Sequence, residues 1–182
     1  MLNSADLSRS SGIPHTSLRR YLALFEAMFL IQLVPAWTGN AGRRLAKMPK
    51  VMFLDPGLAA HLAAVDRARL AVSPALLGPL LENFAFAELA KQASWRAPAV
   101  RFSHFRTHAG EEVDLVLESA RRLVGIEVKA TATPTGDMFR GLRALADAAG
   151  DRFHRGVLLY RGTTVLPFGE KLHAVPITSL WA

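Results

Sequence analysis

The chain has 182 residues, 51% hydrophobic and 20% charged, a balance that supplies a buried core and excludes intrinsic disorder. It has no cysteine, which excludes disulfides and thiolate metal sites and fits a reducing cytoplasm. No apolar run approaches the roughly 18 to 20 residues that span a bilayer, so a cytoplasmic protein with no membrane partner is expected. The formal charge of +7 suits a polyanion, and the excess is N-terminal: residues 1–75 hold nine Lys/Arg against four Asp/Glu.

Residues 4–10 form a short helix stopped by Gly12, and Pro14 opens a second, longer one. Leu18, Tyr21, Leu22, Phe25 and Phe29 share one apolar face of that helix, with Arg19 and Arg20 off it. Residues 30–37 and 51–54 read as strands bracketing 38–50, which carries Gly39, Gly42, Arg43, Arg44, Lys47 and Lys50. The outline over 1–54 is a winged helix with a basic wing. In it Arg19, Arg20, Arg43, Arg44 and Lys47 are candidate DNA contacts; packing against a neighbouring domain is the alternative use.

Asp55-Pro56-Gly57 signals a turn, residues 58–70 a short helix, and Ser73-Pro74 with Gly78-Pro79 a break. Residues 55–77 are thus a connector, and 78–182 a second domain. Its first helix, 80–93, carries Glu82 and Glu88, about 120° apart around the axis. A strand at 100–106, a helix at 135–149 stopped by Gly150, an apolar strand at 156–160 and an edge strand at 172–176 follow. His61, His104, His108, His154 and His173 show no metal-ligand spacing and read as surface or loop residues.

Between these lie two runs of alternating apolar and polar residues, 112–118 and 123–129, the period of a β-hairpin. A loop of two or four residues shares one centre, between Ala120 and Arg121. Facing residues then sum to 241, which sets Asp114 opposite Glu127 and Glu112 opposite Lys129. Val124, Ile126 and Val128 fill one face, and Glu127 and Lys129 the other. Opposed acids call for a compensating cation, for which a hard divalent metal on oxygen ligands is suited. The plainer account is a Glu112–Lys129 ion pair with Asp114 paired to Arg106.

Asp114 followed by Glu127-Val128-Lys129 resembles the core of the PD-(D/E)XK nuclease superfamily, with Val113 where the superfamily name has proline. Lys50-Val51-Met52-Phe53-Leu54-Asp55-Pro56-Gly57-Leu58, Leu81-Glu82-Asn83-Phe84 and Glu112-Val113-Asp114 add to it. Together these words resemble the C-terminal region, a domain of unknown function, of prokaryotic AAA-type ATP-binding proteins. The resemblance implies a mixed α/β (α+β) protein, a winged helix followed by a nuclease-like αβββαβ domain. It favours Glu82 over Glu88 as a third acid, and implies Mg²⁺ or Mn²⁺ on Asp114, Glu127, Glu82 and the Val128 carbonyl, with Lys129 completing the catalytic set for DNA hydrolysis. It also implies an AAA-type ATPase module as partner, ahead of the winged helix. This chain lacks GxxxxGK[ST], so no ATP site is expected and the chain reads as a stand-alone or truncated form. The alternative function is a non-catalytic DNA-binding or ATPase-partner module.

Overall fold

A computed structural model describes residues 4–39, 48–95 and 97–181. Helix α1 (Ser4–Ser11) and helix α2 (His15–Ala27) precede a two-stranded antiparallel ribbon of β1 (Ile31–Val34) and β2 (Lys50–Phe53). Pro14 stands at the N-cap of α2, where its missing N–H costs nothing. The apolar face expected of α2 packs only in part. Leu18 is buried, whereas Tyr21, Phe25 and Phe29 are exposed. The connector is two helices rather than one, α3 (Pro56–Leu62) and α4 (Arg67–Val72). Asp55 and Asp66 each cap one, their carboxylates accepting backbone N–H groups of the first turn.

Helix α5 (Leu77–Ser94) starts ahead of Gly78-Pro79, which does not break the chain. Proline in a first turn forfeits no helical hydrogen bond. Then come β3 (Arg101–Arg106), β4 (Glu112–Ser119), β5 (Arg122–Val128), α6 (Arg140–Ala149), β6 (Phe153–Tyr160), β7 (Leu166–Pro167) and β8 (Leu172–Pro176). They form one mixed sheet in the order β3-β4-β5-β6-β8-β7, with β5-β6 and β6-β8 parallel and the other pairs antiparallel. Strand β8 is therefore internal. The edge is β7, too short to leave an alternation in the sequence.

Helix α6 crosses between the parallel strands β5 and β6. Its Leu142 and Leu145 pack with Phe105, Val113 and Leu123 on one side of the sheet. Helix α5 covers the other side, where Ala85 and Phe86 pack with Leu115, Ile126 and Val128. Val34 and Met52 of the ribbon belong to this second cluster, and Trp37, just past β1, to the first. The ribbon is thus part of the main core. No described helix is long and apolar enough to cross a membrane.

Candidate functional site

The β4–β5 hairpin has the expected register. Ser119 faces Arg122, and pairing runs to Leu115 opposite Ile126. A two-residue turn at Ala120 and Arg121, both with positive φ, closes it. Regular pairing stops one step before Asp114 and Glu127, and their carboxylates take over the backbone's role. Val128 N–H donates to Asp114 Oδ2 at 3.0 Å, and Asp114 N–H to Glu127 Oε2 at 3.3 Å. Each acid thus closes a gap left by the ladder, and both are buried.

Two buried acids side by side disfavour a second negative charge. Burial first, and then the Asp114 charge, push the Glu127 carboxyl up to about 7. Lys129 Nζ lies 2.6 Å from Glu127 Oε1. Burial works against the Lys129 charge, but its hydrogen bond and attraction to Glu127 hold its pKa above the ordinary lysine value. Lys129 therefore pairs with Glu127, its neighbour two residues back on the same face, and not with Glu112.

The residue that organises the site is Lys50, which sequence reasoning assigned to the basic wing. It is 6% exposed at the start of β2. Its Nζ lies 2.9 Å from Glu82 Oε1, 3.1 Å from Glu112 Oε1 and 3.0 Å from Asp114 Oδ1. Burial opposes the ammonium, but Asp114 and Glu82 outweigh it and Lys50 stays charged, above its ordinary value. Glu82 is raised by burial and by Asp114, against the pull of Lys50. Burial would raise Glu112 too, but Lys50 and Arg106 hold it below the usual carboxylate value.

Other elements fix these side chains. The Asn83 side chain accepts from Phe53 N–H at 2.8 Å and donates to Phe53 C=O at 3.0 Å, tying β2 to α5 beside Lys50. Gly141 of α6 lies so close to β4 that an added Cβ would stand 1.9 Å from Glu112 O. Arg106 Nη1 holds Glu112 at 3.3 Å. Asp114 pairs with Lys50 and not with Arg106. An open cleft of about 400 Å³, lined in part by Lys50, Phe53, Leu80, Glu82 and Glu112, leads to the cluster from solvent.

Of the other expected site residues, Val128 packs its side chain in the core. Glu88 turns away to Lys91 and to Trp181 Nε1. Arg19 and Arg20 are exposed on α2. Arg43, Arg44 and Lys47 lie outside the described residues. His104, expected at the surface, is fully buried on β3, where Met48 C=O engages its Nε2 and the desolvated ring is held below the usual histidine value.

Among the described residues no three His, Cys, Asp or Glu side chains are grouped so as to hold a metal ion. Where Glu82, Glu112 and Asp114 converge, the Lys50 ammonium stands between them. A divalent cation does not fit beside it in this conformation. What the centre does as it stands is balance charge: Lys50, Lys129 and Arg106 offset Glu82, Glu112, Asp114 and Glu127.

This centre straddles two matched segments of the chain. Residues 1–69, with Lys50, match a domain of unknown function, DUF8612. Residues 77–180, with the four acids, match the domain of unknown function DUF4143. An uncharacterized protein of Mycobacterium bovis and one of Mycobacterium tuberculosis are each 35% identical over 179 residues, 97% of this chain. The chain spans 38% of the length of either relative. With more than half of its length matched by the one model, the chain belongs to the DUF4143 family.

Proposed function

We propose that this chain is a DNA-associated protein with a restriction-endonuclease-like C-terminal domain, and that Asp114, Glu127 and Lys129, with Glu82 beside them, are the residues of a phosphodiester-hydrolysing centre. The observation that carries the reading is the end of the hairpin. Two buried acids interlock where the ladder ends, next to an ammonium, and Glu82 beside them lines the open cleft. Burial, and then the neighbouring Asp114, raise the Glu127 carboxyl to about 7, and a nearby cation lowers such a carboxyl. The α5-β3-β4-β5-α6-β6 order supports the nuclease-like reading, and two helices followed by a ribbon support the winged-helix one. Exposed Arg19 and Arg20 supply positive charge for phosphate.

The test is cleavage of plasmid and branched DNA by the purified chain with Mg²⁺ or Mn²⁺, beside Asp114→Ala. Cleavage lost in the variant is the expected outcome. Equal cleavage by both, or none under any metal condition, defeats the hydrolytic reading.

A second reading, a non-catalytic module that binds DNA or an ATPase partner, is favoured by a different observation. Tyr21, Leu24, Phe25 and Met28 form an exposed apolar stripe along α2, a surface suited to another protein. It predicts salt-dependent DNA binding without cleavage.

A further inference from the structure

Tyr21, Leu24, Phe25 and Met28 of α2 recur at i, i+3, i+4 and i+7, the spacing of one helix face, and that face ends on Phe29. The five side chains are between 41% and 79% exposed, Phe29 the most. Phe29 N–H donates to Glu26 C=O and Leu30 N–H to Phe25 C=O, each at 3.0 Å. They close the helix in the Schellman manner with Phe29 at φ 56°, in the place that glycine ordinarily takes. A bulky ring there strains the backbone and lies in water, so neither the cap nor the core accounts for it. Together the five side chains expose about 500 Å², a size of apolar patch that marks interaction sites.

The face is complementary to itself. Two copies of α2 laid antiparallel about a two-fold axis between Leu24 and Phe25 oppose residues whose numbers sum to 49. Tyr21 then meets Met28, a ring against a thioether, and Leu24 meets Phe25. Arg20, exposed beside the stripe, meets Phe29, a guanidinium against a ring. The same arrangement sets Arg20 at the C-terminus of the second copy's helix, the negative end of its dipole. It also keeps the two Arg20 side chains about 13 Å apart along the axis, beyond the screening length in physiological salt. Parallel pairing would set Arg20 on Arg20. Burying both faces removes about 1,000 Å² from water in total, the least that a specific interface needs.

We infer that α2 is a self-association face: two copies of this chain pair antiparallel through Tyr21, Leu24, Phe25 and Met28, with Arg20 of each over Phe29 of the other. At this area the pair is weak and forms at about 10–100 µM, so the dilute chain is monomeric. The inference goes beyond both readings of the function and depends on neither.

Sedimentation equilibrium of the whole chain from about 1 to 300 µM provides the test. The mass should climb from 19.8 kDa towards twice that value. Leu24→Glu, which sets an acid from each copy beside the two-fold axis, should weaken the pairing at least about tenfold. Leu24 is exposed, so the variant keeps its fold, which circular dichroism checks. A single 19.8 kDa species at every concentration, or pairing that Leu24→Glu leaves unchanged, overturns the inference. A chain that pairs only when duplex DNA is added also overturns it, because nucleic acid is then the occupant. The chain has no cysteine, so introduced thiols report the orientation without interference. Tyr21→Cys and Met28→Cys proteins, mixed and oxidised, should form the mixed disulfide faster than either forms its own. Disulfides between identical copies forming first overturn the antiparallel pair.

Discussion

The β1–β2 ribbon and helix α2 are neighbours in sequence, and the fold treats them oppositely. The ribbon buries Ile31, Val34, Met52 and even Lys50 against the main sheet and α5, whereas Leu18 is the one buried residue of α2. Both segments are apolar by composition, so hydrophobicity does not separate them. What separates them is polar specificity. Asn83 satisfies both backbone groups of Phe53, and three carboxylates receive Lys50. Helix α2 meets β1 through the contact of Leu33 N–H with Glu26 Oε1 at 2.8 Å. A buried ion network fixes where the ribbon sits, and α2 is left to present its stripe outward.

Three measurements break or sharpen that contrast. The largest effect is expected for Lys50→Met, which takes from Glu82 and Asp114 the ammonium they share; losing one side of a buried ion network costs about 3–5 kcal/mol. Denaturant unfolding at pH 7 checks it, and a loss under 1 kcal/mol means the ribbon is held by packing alone.

Next is Glu127→Gln across pH. The folded carboxyl titrates near 7, against an ordinary value near 4.5, so between those limits the folded chain keeps a proton that the unfolded chain has released. Stability therefore falls as pH climbs through that window, and the full penalty stands above it. The stability of the variant relative to the parent should rise by roughly 3 kcal/mol at most between pH 4.5 and 7.5. A flat difference in thermal scans means that neither burial nor the Asp114 charge raises this carboxyl.

The smallest effect is expected for Phe25→Ser on α2, a change within about 0.5 kcal/mol, because the ring leaves no cavity behind. A larger loss would show that the stripe is packed in solution.

Much of the hairpin was legible in the sequence, because alternation fixes both face and register. The centre between Ala120 and Arg121 followed from symmetry alone, without regard to turn type. The ion network was not legible. Lys50 and Asp114 are 64 positions apart, and a lysine after a glycine- and arginine-rich stretch reads as one more surface cation. The one available signal was position: Lys50 opens an apolar strand, where a lysine has no reason to stand unless it is paired. His104 misled for the same reason, because a polar residue in a short strand leaves no trace of which elements cover it. The apolar face of α2 erred in the other direction, since periodicity reports that a face exists and not that a neighbour fills it.

The turn at Ala120 and Arg121 is the costly end of the hairpin. Both residues adopt positive φ, at 46° and 69°, where Asn-Gly sits more comfortably. Neither alanine nor arginine favours that region, so the strands hold the turn and not the reverse. Substituting Asn-Gly there would relieve the cost while leaving every carboxylate where it is.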